Sequence, residues 1–352
     1  MTHYQQISVS FHMLLFFFNR INGGQFLILG VAVLFHTAVS GASPKIMRMA
    51  HVYQIDSPSG IGLQAFADKV EEYSEGRIEM KVFPTGQLGS NRNMYISTKT
   101  GAIDFCVPNF PMLSDVVPEM TIMTSGYLFD KFEDIKQVLA DPQLGQKWNE
   151  EIIEKCHIRI LGSYYYGKRV VTTGKTPFRS PEEMKGLKIR AVPNPMSLAV
   201  IKGLGGNPTP MGLKEIFIGL SQGVIDGQEN PYPTIWSNKW YEVQKYAIET
   251  NHQLNAVPFA ISERSWRSLS AGDRAVVQRA SDEAMDIISG LTRQFESEIA
   301  EKLKAKGMII VPHDELDIEA FQNAVRASVK EKFDGKVWPA GLMDEVLAVG
   351  KD

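Results

Sequence analysis

The sequence predicts an α/β protein of two domains, with parallel sheets that carry helices on both faces. The first observation is the order strand–helix–strand–helix–strand between residues 45 and 107, which is typical of parallel strands. The second is the length of 352 residues, which exceeds what one hydrophobic core normally supports. The third is a long amphipathic segment, residues 271–306, which would form a helix of roughly 50 Å. Since no second segment of its kind flanks it, we expect this helix to brace the two domains rather than to join a coiled coil.

Hydrophobic periodicity and turn residues define the elements in order. A helix is predicted to begin at Ser57-Pro58 and to end at Gly76, because serine caps helices and proline fits their first turn. A second capping sequence, Ser180-Pro181-Glu182-Glu183, predicts another helix. The expected strands are 45–52, 78–83, 103–107, 158–162, 170–173, 187–189, 224–226, 246–254, 257–262 and 308–311. The other expected helices are 90–100, 130–140, 144–155, a segment starting at 194, 213–220, 317–333 and a short one near the C-terminus, with a turn at 208–210.

The first 42 residues have the composition of a secretory signal peptide. They contain one strong charge, Arg20, then the apolar run 26–39, then small residues at Ser40 and Ala42. An uncleaved membrane anchor is the alternative. It is disfavoured because His36 interrupts the run and a membrane span needs about 20 apolar residues. We therefore expect cleavage after Ala42.

Charge and cysteine content exclude several classes of protein. The formal net charge is −3 and no long basic run occurs, which argues against nucleic acid or an anionic membrane surface as partner. The two cysteines, Cys106 and Cys156, each lie in an apolar context, so two separate buried thiols are favoured over one disulfide. Neither belongs to a CxxC pair, so no metal or redox site is expected.

The stretch 185–231 carries the candidate binding chemistry. The apolar strand 187–189 delivers Arg190 at its end, and the strand 224–226 runs towards Asn230. Open α/β sheets bind ligands at such strand ends. A guanidinium group matches a carboxylate with two parallel hydrogen bonds, and a buried arginine requires an anion. That anion is either a ligand or an internal carboxylate, and the residues alone leave both interpretations open.

Other polar and aromatic residues are candidates with equally ordinary alternatives. Arg169 follows an aromatic cluster, and its alternative is a solvated loop arginine. Asn230 can donate to and accept from a ligand oxygen, or simply occupy a turn. His51 ends the first strand, and its alternative is a hydrogen-bonded buried histidine. Tyr166 and Trp236 are suited to lining a cleft, although core packing is the commoner role of an aromatic residue.

No catalytic constellation accompanies these groups. Gly219-Leu220-Ser221-Gln222-Gly223 matches the G-x-S-x-G pattern, but a nucleophile elbow follows a strand and leads into a helix. Here the predicted order is helix first and strand second, so a helix C-terminus is favoured and a secreted esterase using Ser221 is the rival. HExxH, P-loop, GxGxxG and EF-hand patterns do not occur. We therefore expect a binding protein without cofactor or metal, and not an enzyme.

A series of short segments, in one order along nearly the whole chain after residue 42, carries a family resemblance. The segments are 186–190 (GLKIR), 206–211 (GNPTPM), 215–217 (EIF) and 226–231 (DGQENP), with further likeness at 76–78, 83–89, 101–104 and 241–245. Together they resemble the DctP-type solute-binding proteins of TRAP (tripartite ATP-independent periplasmic) transporters.

The resemblance implies a two-lobed periplasmic binding protein clamshell that closes on an organic anion. Each lobe would be a mostly parallel sheet flanked by helices, and the long helix would brace both. Lobe 1 would be mainly 43–165 and lobe 2 mainly 166–255, with 256–352 supplying the bracing helix and C-terminal segments returning to both. The protein would be a monomer in the periplasm of a Gram-negative-type cell. It would deliver its ligand to a pair of membrane permease subunits driven by an ion gradient rather than ATP.

The resemblance also implies roles for residues of the motifs. Arg190, in the GLKIR-like segment, would grip the substrate carboxylate. Arg169, in a G-x-R segment, would be the second family arginine. Asn230 matches the family asparagine, with Glu229 beside it as a further ligand contact. Leu213 departs from the aromatic residue often found at its position, which removes stacking from that side.

The ligand class follows from the neutral polar groups expected around the site. His51 and Asn109 end strands where family members place variable pocket residues. Together with Tyr166 and Asn194 they suit sugar hydroxyl groups better than a second carboxylate. A sugar acid, either a uronate or an aldonate, is therefore the expected ligand. The alternatives are a C4-dicarboxylate, with Arg169 binding the second carboxylate, and a ligand-sensing rather than transporting role.

Overall fold

A computed structural model describes residues 14–20, 26–32 and 43–349, with side chains described from residue 43 onwards. The chain divides into two compact units, Met1–Ser43 and Pro44–Asp352. In the first unit, strands β1 (Leu14–Arg20) and β2 (Phe26–Ala32) pair in antiparallel fashion. Most of the predicted signal peptide lies outside the described residues, and its cleavage stays a prediction.

The second unit alternates strands and helices, as the sequence predicts. Its strands are β3 (Lys45–Ala50), β4 (Ile78–Phe83), β5 (Phe105–Cys106), β6 (Ile158–Thr173), β7 (Lys188–Ala191), β8 (Asn207–Pro210), β9 (Gly227–Asn230), β10 (Tyr246–Ser262) and β11 (Ile309–Val311). Its helices are α1 (Pro58–Tyr73), α2 (Asn91–Thr100), α3 (Phe110–Leu113), α4 (Phe132–Ala140), α5 (Lys147–Cys156), α6 (Pro195–Gly203), α7 (Ile216–Ser221), α8 (Tyr232–Ser237), α9 (Glu263–Arg267), α10 (Ala271–Ala305), α11 (Ile318–Phe333) and α12 (Leu342–Val349). Short 3₁₀ helices occur at Pro118–Thr124, Leu213–Glu215, Trp240–Glu242 and His313–Glu315, and a π-helical turn occurs at Pro142–Gln146.

Strands β3 to β11 form one sheet in the order β4-β3-β5-β10-β6-β9-β7-β8, with β11 paired to β10. The pairs β3/β4, β3/β5, β7/β8, β7/β9 and β10/β11 are parallel. Strand β10 is antiparallel to β5 and β6, and β6 is antiparallel to β9. The long strands β6 and β10 thus connect a β4 side (β3, β4 and β5) with a β8 side (β7, β8 and β9). This arrangement confirms the predicted α/β class with mostly parallel pairing.

The two long central strands differ from the prediction, which divided each of them in two. Strand β6 runs unbroken over 16 residues and β10 over 17. Their register shifts at three places, one of them between Asn255 and Ala256, as at β-bulges, which disturb the alternation of side chains without ending the pairing. Gly167 in β6 has a φ of 114°, a conformation that a residue with a Cβ rarely adopts. These irregularities explain why the sequence pattern indicates two strands where there is one.

Three local predictions in the stretch 180–230 are wrong. Residues 180–186 form turns rather than a helix. The expected turn at 208–210 is part of β8, an edge strand, where proline is tolerated because one side of the strand needs no ladder donors. The expected strand at 224–226 is a bend, and β9 begins at Gly227. As a result, Asn230 is the last residue of a strand rather than a loop residue after one.

Helix α10 extends over 35 residues and contributes to two separate hydrophobic clusters. Its Val277 and Ile288 belong to a cluster with Phe66 on the β4 side. Its Leu303 belongs to a second cluster, which includes Trp240 on the β8 side. The helix therefore packs against both ends of the bent sheet, which is the predicted bracing role. A third cluster, the largest, gathers α3 to α6, α11, α12 and the central strands.

The two cysteines are buried and unbonded, as predicted. Burial raises the pKa of the Cys106 thiol to about 12, so this thiol remains protonated near neutral pH. No helix among the described residues combines the length and apolarity needed to cross a membrane.

Candidate functional site

Arg190 is a buried cation without a carboxylate in ion-pair contact. It lies in β7 between Ile189 and Ala191, which are fully buried, and is itself 3% exposed. Its Nε donates to the carbonyl oxygen of Met211 at 2.8 Å. Within residues 43–349, no aspartate or glutamate forms an ion pair with its guanidinium group. Burial lowers the pKa of Arg190 to about 10, with the charge of Glu229 opposing the shift. This guanidinium group is therefore available to an external anion.

Arg169, in contrast, already has an internal anion. Both its Nε and Nη2 donate to the carboxylate of Glu229, the second at 2.9 Å, and Nη2 also donates to the Glu229 carbonyl oxygen at 2.7 Å. Both residues are about 95% or more buried. Burial alone would raise the pKa of Glu229, but Arg169 and His252 hold that pKa at about 2. Both carboxylate oxygens of Glu229 accept from Arg169, and a contact of Glu229 with the ligand stays a prediction.

The pair belongs to a buried polar network at the end of β9. The Nε2 atom of His252 lies 3.5 Å from Oε2 of Glu229, and burial lowers the pKa of this histidine while Glu229 opposes the shift. Asn230 accepts from Arg169 at 3.1 Å and donates to Gln228 at 2.8 Å. These bonds fix the orientation of the Asn230 amide, because its oxygen faces a cation and its nitrogen faces an acceptor.

Tyr166 lies in the wall of a small pocket and within electrostatic range of both arginines. Burial raises the pKa of Tyr166, and the charges of both Arg169 and Arg190 oppose that shift. Its hydroxyl group accepts from Thr234 at 2.8 Å. Tyr166 and Thr234 line a small pocket with no Asp, Glu, Lys, Arg or His in its wall. The other polar residues of the wall include Tyr53, Gln54, Ser57, Ser59 and Asn238.

His51 adds a neutral hydrogen-bonding group beside this wall. It follows β3 directly, is 2% exposed, and its Nδ1 has no hydrogen-bond partner among the described residues. Burial lowers its pKa to about 4, with the backbone hydrogen bond of Tyr53 opposing. Its ring stacks on Tyr53 at a centroid distance of 5.9 Å, and Tyr53 lies 5.6 Å from Tyr166. The His51 ring is therefore uncharged at neutral pH, and its Nδ1 is available to a hydrogen-bond partner from outside the described residues.

Two other residues predicted as ligand contacts also have structural roles, and their contact with a ligand stays a prediction. Asn109 caps α3, where its Oδ1 accepts from the backbone N–H of Met112 at 3.0 Å. Trp236 packs against Tyr241 at a ring distance of 5.1 Å. Neither Asn109 nor Trp236 lines the cavity. A similar role belongs to Asn194, which caps α6.

Two residues that line cavities, Tyr53 and Lys214, are absent from the prediction made from the sequence. Tyr53 lies just beyond the end of β3, a position that marks ligand contacts in such sheets, so a signal for it existed. Lys214 lines a second, outer cavity together with Thr85, Leu213 and Lys239. No sequence signal identifies Lys214, because Gly86, whose carbonyl oxygen accepts from Nζ of Lys214, lies 128 residues away in the chain.

The geometry offers binding groups but no reacting pair. Ser221, in the G-x-S-x-G segment, ends α7, and its Oγ donates to the carbonyl oxygen of Phe217 at 2.7 Å. Its position after a helix is as predicted and excludes a nucleophile elbow. Among the described residues, no group of three or more His, Cys, Asp or Glu side chains could hold a metal ion. The fold and site together define a solute-binding protein.

Comparison with known proteins identifies the family. The family model DctP, bacterial extracellular solute-binding protein family 7, matches residues 49–336. The sialic acid-binding periplasmic protein SiaP of Vibrio cholerae is 30% identical over 300 residues, which cover 85% of this chain and 92% of SiaP.

Solved structures of TRAP periplasmic solute-binding proteins share the fold. The protein from Actinobacillus succinogenes 130Z with bound L-galactonate has a TM-score of 0.82 and 30% identity, covering 87% of this chain and 99% of that one. The protein from Roseobacter denitrificans OCh 114, also with L-galactonate, has a TM-score of 0.80 and 27% identity at the same coverage. The chain belongs to the DctP family of bacterial extracellular solute-binding proteins. Members of this family are periplasmic transporter components rather than enzymes.

Proposed function

We propose that this protein captures a sugar acid with one carboxylate, a uronate or an aldonate, and delivers it to TRAP permease subunits. The observation that carries the proposal is the contrast between the two buried arginines. Arg169 is neutralised by Glu229, whereas Arg190 has no ion-paired carboxylate within residues 43–349. One guanidinium group without an internal counter-ion can pair with one carboxylate of a ligand.

The carboxylate of the ligand would complete the environment of Arg190. Its Nε is used by Met211, which leaves the Nη groups for a ligand. Hydrogen bonds between ionised groups are shorter and roughly twice as strong as neutral ones. A ligand carboxylate would therefore replace the hydration that Arg190 loses on burial.

The remainder of the ligand would be a chain or ring of hydroxyl groups. The cavity wall next to Tyr166 contains hydroxyl and amide side chains and no charged side chain. Such groups both donate to and accept from sugar hydroxyls. His51, neutral and with an unpartnered nitrogen, is a further candidate partner. The L-galactonate bound by two structural neighbours has this same chemistry of one carboxylate and several hydroxyls.

A C4-dicarboxylate is the second candidate, and the presence of two buried arginines favours it. A second ligand carboxylate near Arg169 would meet the negative charge of Glu229, which remains ionised because its pKa is about 2. Like charges at close range disfavour such binding. We therefore place the dicarboxylate second.

A thermal-shift comparison tests the proposal. L-galactonate, D-galacturonate, succinate and L-malate are added to the purified protein at equal concentrations. A ligand present at 100 times its Kd stabilises the native state by about 2.7 kcal/mol. We expect the sugar acids to raise the melting temperature more than the dicarboxylates. A larger shift with succinate or L-malate would contradict the proposal.

Export and delivery have separate tests. Intact-mass measurement of periplasmic protein should give an N-terminus at Ser43, whereas a mass that retains residues 1–42 would indicate an anchored protein. Deletion of the gene should abolish uptake of the sugar acid that stabilises the protein. Unchanged uptake would favour the ligand-sensing alternative.

A further inference from the structure

Two loops that follow opposite edges of the sheet contact each other. Lys214, in the helical turn after β8, donates from Nζ to the carbonyl oxygen of Gly86, in the loop after β4, at 2.7 Å. Strands β4 and β8 are the first and last strands of the sheet order. Neighbouring strands lie about 4.8 Å apart, so a flat sheet would separate these edges by roughly 34 Å. The contact therefore exists only because the sheet is folded towards itself.

The loop that receives Lys214 is anchored to the candidate binding site. The backbone N–H of Gly86 donates to the carbonyl oxygen of His51 at 2.8 Å, and that of Thr85 donates to the carbonyl oxygen of Tyr53 at 3.2 Å. A movement of this loop would thus be transmitted to both site residues.

The contact requires glycine at position 86. Gly86 has a φ of 65°, and a Cβ there would lie 2.3 Å from Cε of Lys214. Atoms do not approach so closely, so any side chain on residue 86 would displace the lysine.

The residue before the lysine also bridges the two sides. Leu213 packs against the cluster that contains Phe66 on the β4 side and against the cluster that contains Ile216 on the β8 side. It also lines both the inner and the outer cavity. Leu213 and Lys214 thus supply an apolar and a polar contact across one opening.

We propose that Leu213, Lys214 and Gly86 form a clasp that holds the cleft shut and so sets how long a ligand stays bound. Lys214 acts through the Gly86 carbonyl oxygen and does not contact the ligand. The identity of the ligand that the clasp retains rests on the function proposed above. The closure of the cleft by the clasp does not depend on that function. The rival is that Lys214 only attracts anions into the outer cavity. Lys239 lines the same cavity and would then act in the same way.

The first experiment needs no ligand. Spin labels are attached at Lys81→Cys in β4 and Lys202→Cys in α6, both exposed, while the two native cysteines are buried. The distance between the labels is measured by double electron–electron resonance. We expect Lys214→Ala to shift the distribution to longer distances and Lys239→Ala to leave it unchanged. An unchanged distribution with Lys214→Ala would overturn the clasp.

The second experiment uses L-galactonate in stopped-flow kinetics. A hydrogen bond to a charged group corresponds to an effect of roughly tenfold to a hundredfold, so Lys214→Ala should release L-galactonate roughly tenfold to a hundredfold faster. Lys239→Ala should leave the release rate unchanged. If Lys214→Ala and Lys239→Ala both slow association and Lys214→Ala leaves dissociation unchanged, the clasp is wrong.

A double-mutant cycle separates the contact from backbone strain. Gly86→Ala strains the left-handed backbone in any background, but it displaces the lysine only when Lys214 is present. Its effect on release should therefore be smaller in the Lys214→Ala background, and equal effects would overturn the contact. If L-galactonate does not bind the parent protein, the proposed ligand fails while the spin-label distances still decide on the clasp.

Discussion

Replacing Arg190 with methionine should abolish binding without destabilising the ligand-free protein. Methionine is unbranched and adapts its shape to irregular space, so it can occupy the site of the arginine stem. A purely structural arginine, ion-paired within the fold, would show the opposite outcome. The substitution therefore distinguishes the two interpretations that the sequence leaves open.

The magnitude follows from the environment of the guanidinium group. Burial lowers the pKa of Arg190 from 12.5 to about 10, and one pKa unit corresponds to about 1.4 kcal/mol. Holding the charge in the ligand-free fold thus costs about 3 kcal/mol, which Arg190→Met removes. Losing the hydrogen bond from the charged guanidinium group to Met211 costs about 1.5–3 kcal/mol. The ligand-free variant should therefore be at least as stable as the parent.

Binding should respond in the opposite direction. Removing one member of a buried charge pair costs about 3–5 kcal/mol, which corresponds to roughly two to three orders of magnitude in Kd. Arg190→Lys keeps the charge but loses the planar fork, so it should also bind poorly. Arg179, exposed and paired with Glu315, is the matched control, and Arg179→Met should leave binding unchanged.

Isothermal titration with the sugar acid that stabilises the parent measures the affinity, and urea denaturation without ligand measures the stability. Binding of Arg190→Met as tight as that of the parent would show that Arg190 does not hold the ligand. A loss of several kcal/mol of stability in the ligand-free variant would likewise show that Arg190 is part of the folded core rather than a ligand group.

Three further predictions concern the surroundings of the site. His51 has a folded pKa of about 4, below its unfolded value of about 6.5, so its neutral form stabilises the fold above pH 6.5 and this contribution falls as the pH drops towards 4. Between pH 7 and pH 4.5, the free energy of unfolding measured in urea should change by about 2–3 kcal/mol less for His51→Gln than for the parent. An identical change in both proteins would contradict the assignment. Glu229→Gln leaves Arg169 charged and buried, so it should lower the free energy of unfolding by about 3–5 kcal/mol. Glu315→Gln, at an exposed pair, should lower it by at most about 1 kcal/mol, and equal losses would argue against the buried pair. Both buried cysteines should react with a thiol reagent only after unfolding, and fast reaction of the native protein would contradict their burial.

Helix positions were predictable because their signals are local. The caps Ser57 and Asn194 each accept a hydrogen bond from the backbone N–H three residues on, and proline occupies the first turn of both helices. The long helix α10 follows directly from its apolar face. Each of these elements depends on residues a few positions apart, which a sequence displays.

The strands were less predictable, because their positions depend on partners far along the chain. Strand β8 contains Pro208 and Pro210 and exists because it lies at the sheet edge, beside β7. The capping sequence at Ser180 forms the predicted cap but not the predicted helix. Its hydroxyl group accepts from the backbone N–H of Glu183 at 3.4 Å, but no helix follows, and Gly186 with a φ of 87° leads into β7. A local signal was present in this case and the tertiary structure overrode it.

The candidate site was even less predictable than the strands, because it too depends on partners far along the chain. Both arginines stand in buried strands and carry the same group, yet their partners differ because of strand register. The antiparallel pairing of β6 with β9 sets Val170 opposite Asn230, which brings Arg169 beside Glu229. In the parallel pairing of β7 with β8, Arg190 lies opposite Thr209, which offers no negative charge. The sequence identifies two candidate cations, and the register decides that only one of them lacks an internal counter-ion. A one-residue slip would reverse the facing of every side chain in a strand. The specificity that we propose, for one carboxylate rather than two, therefore depends on the strand register and not on arginine content.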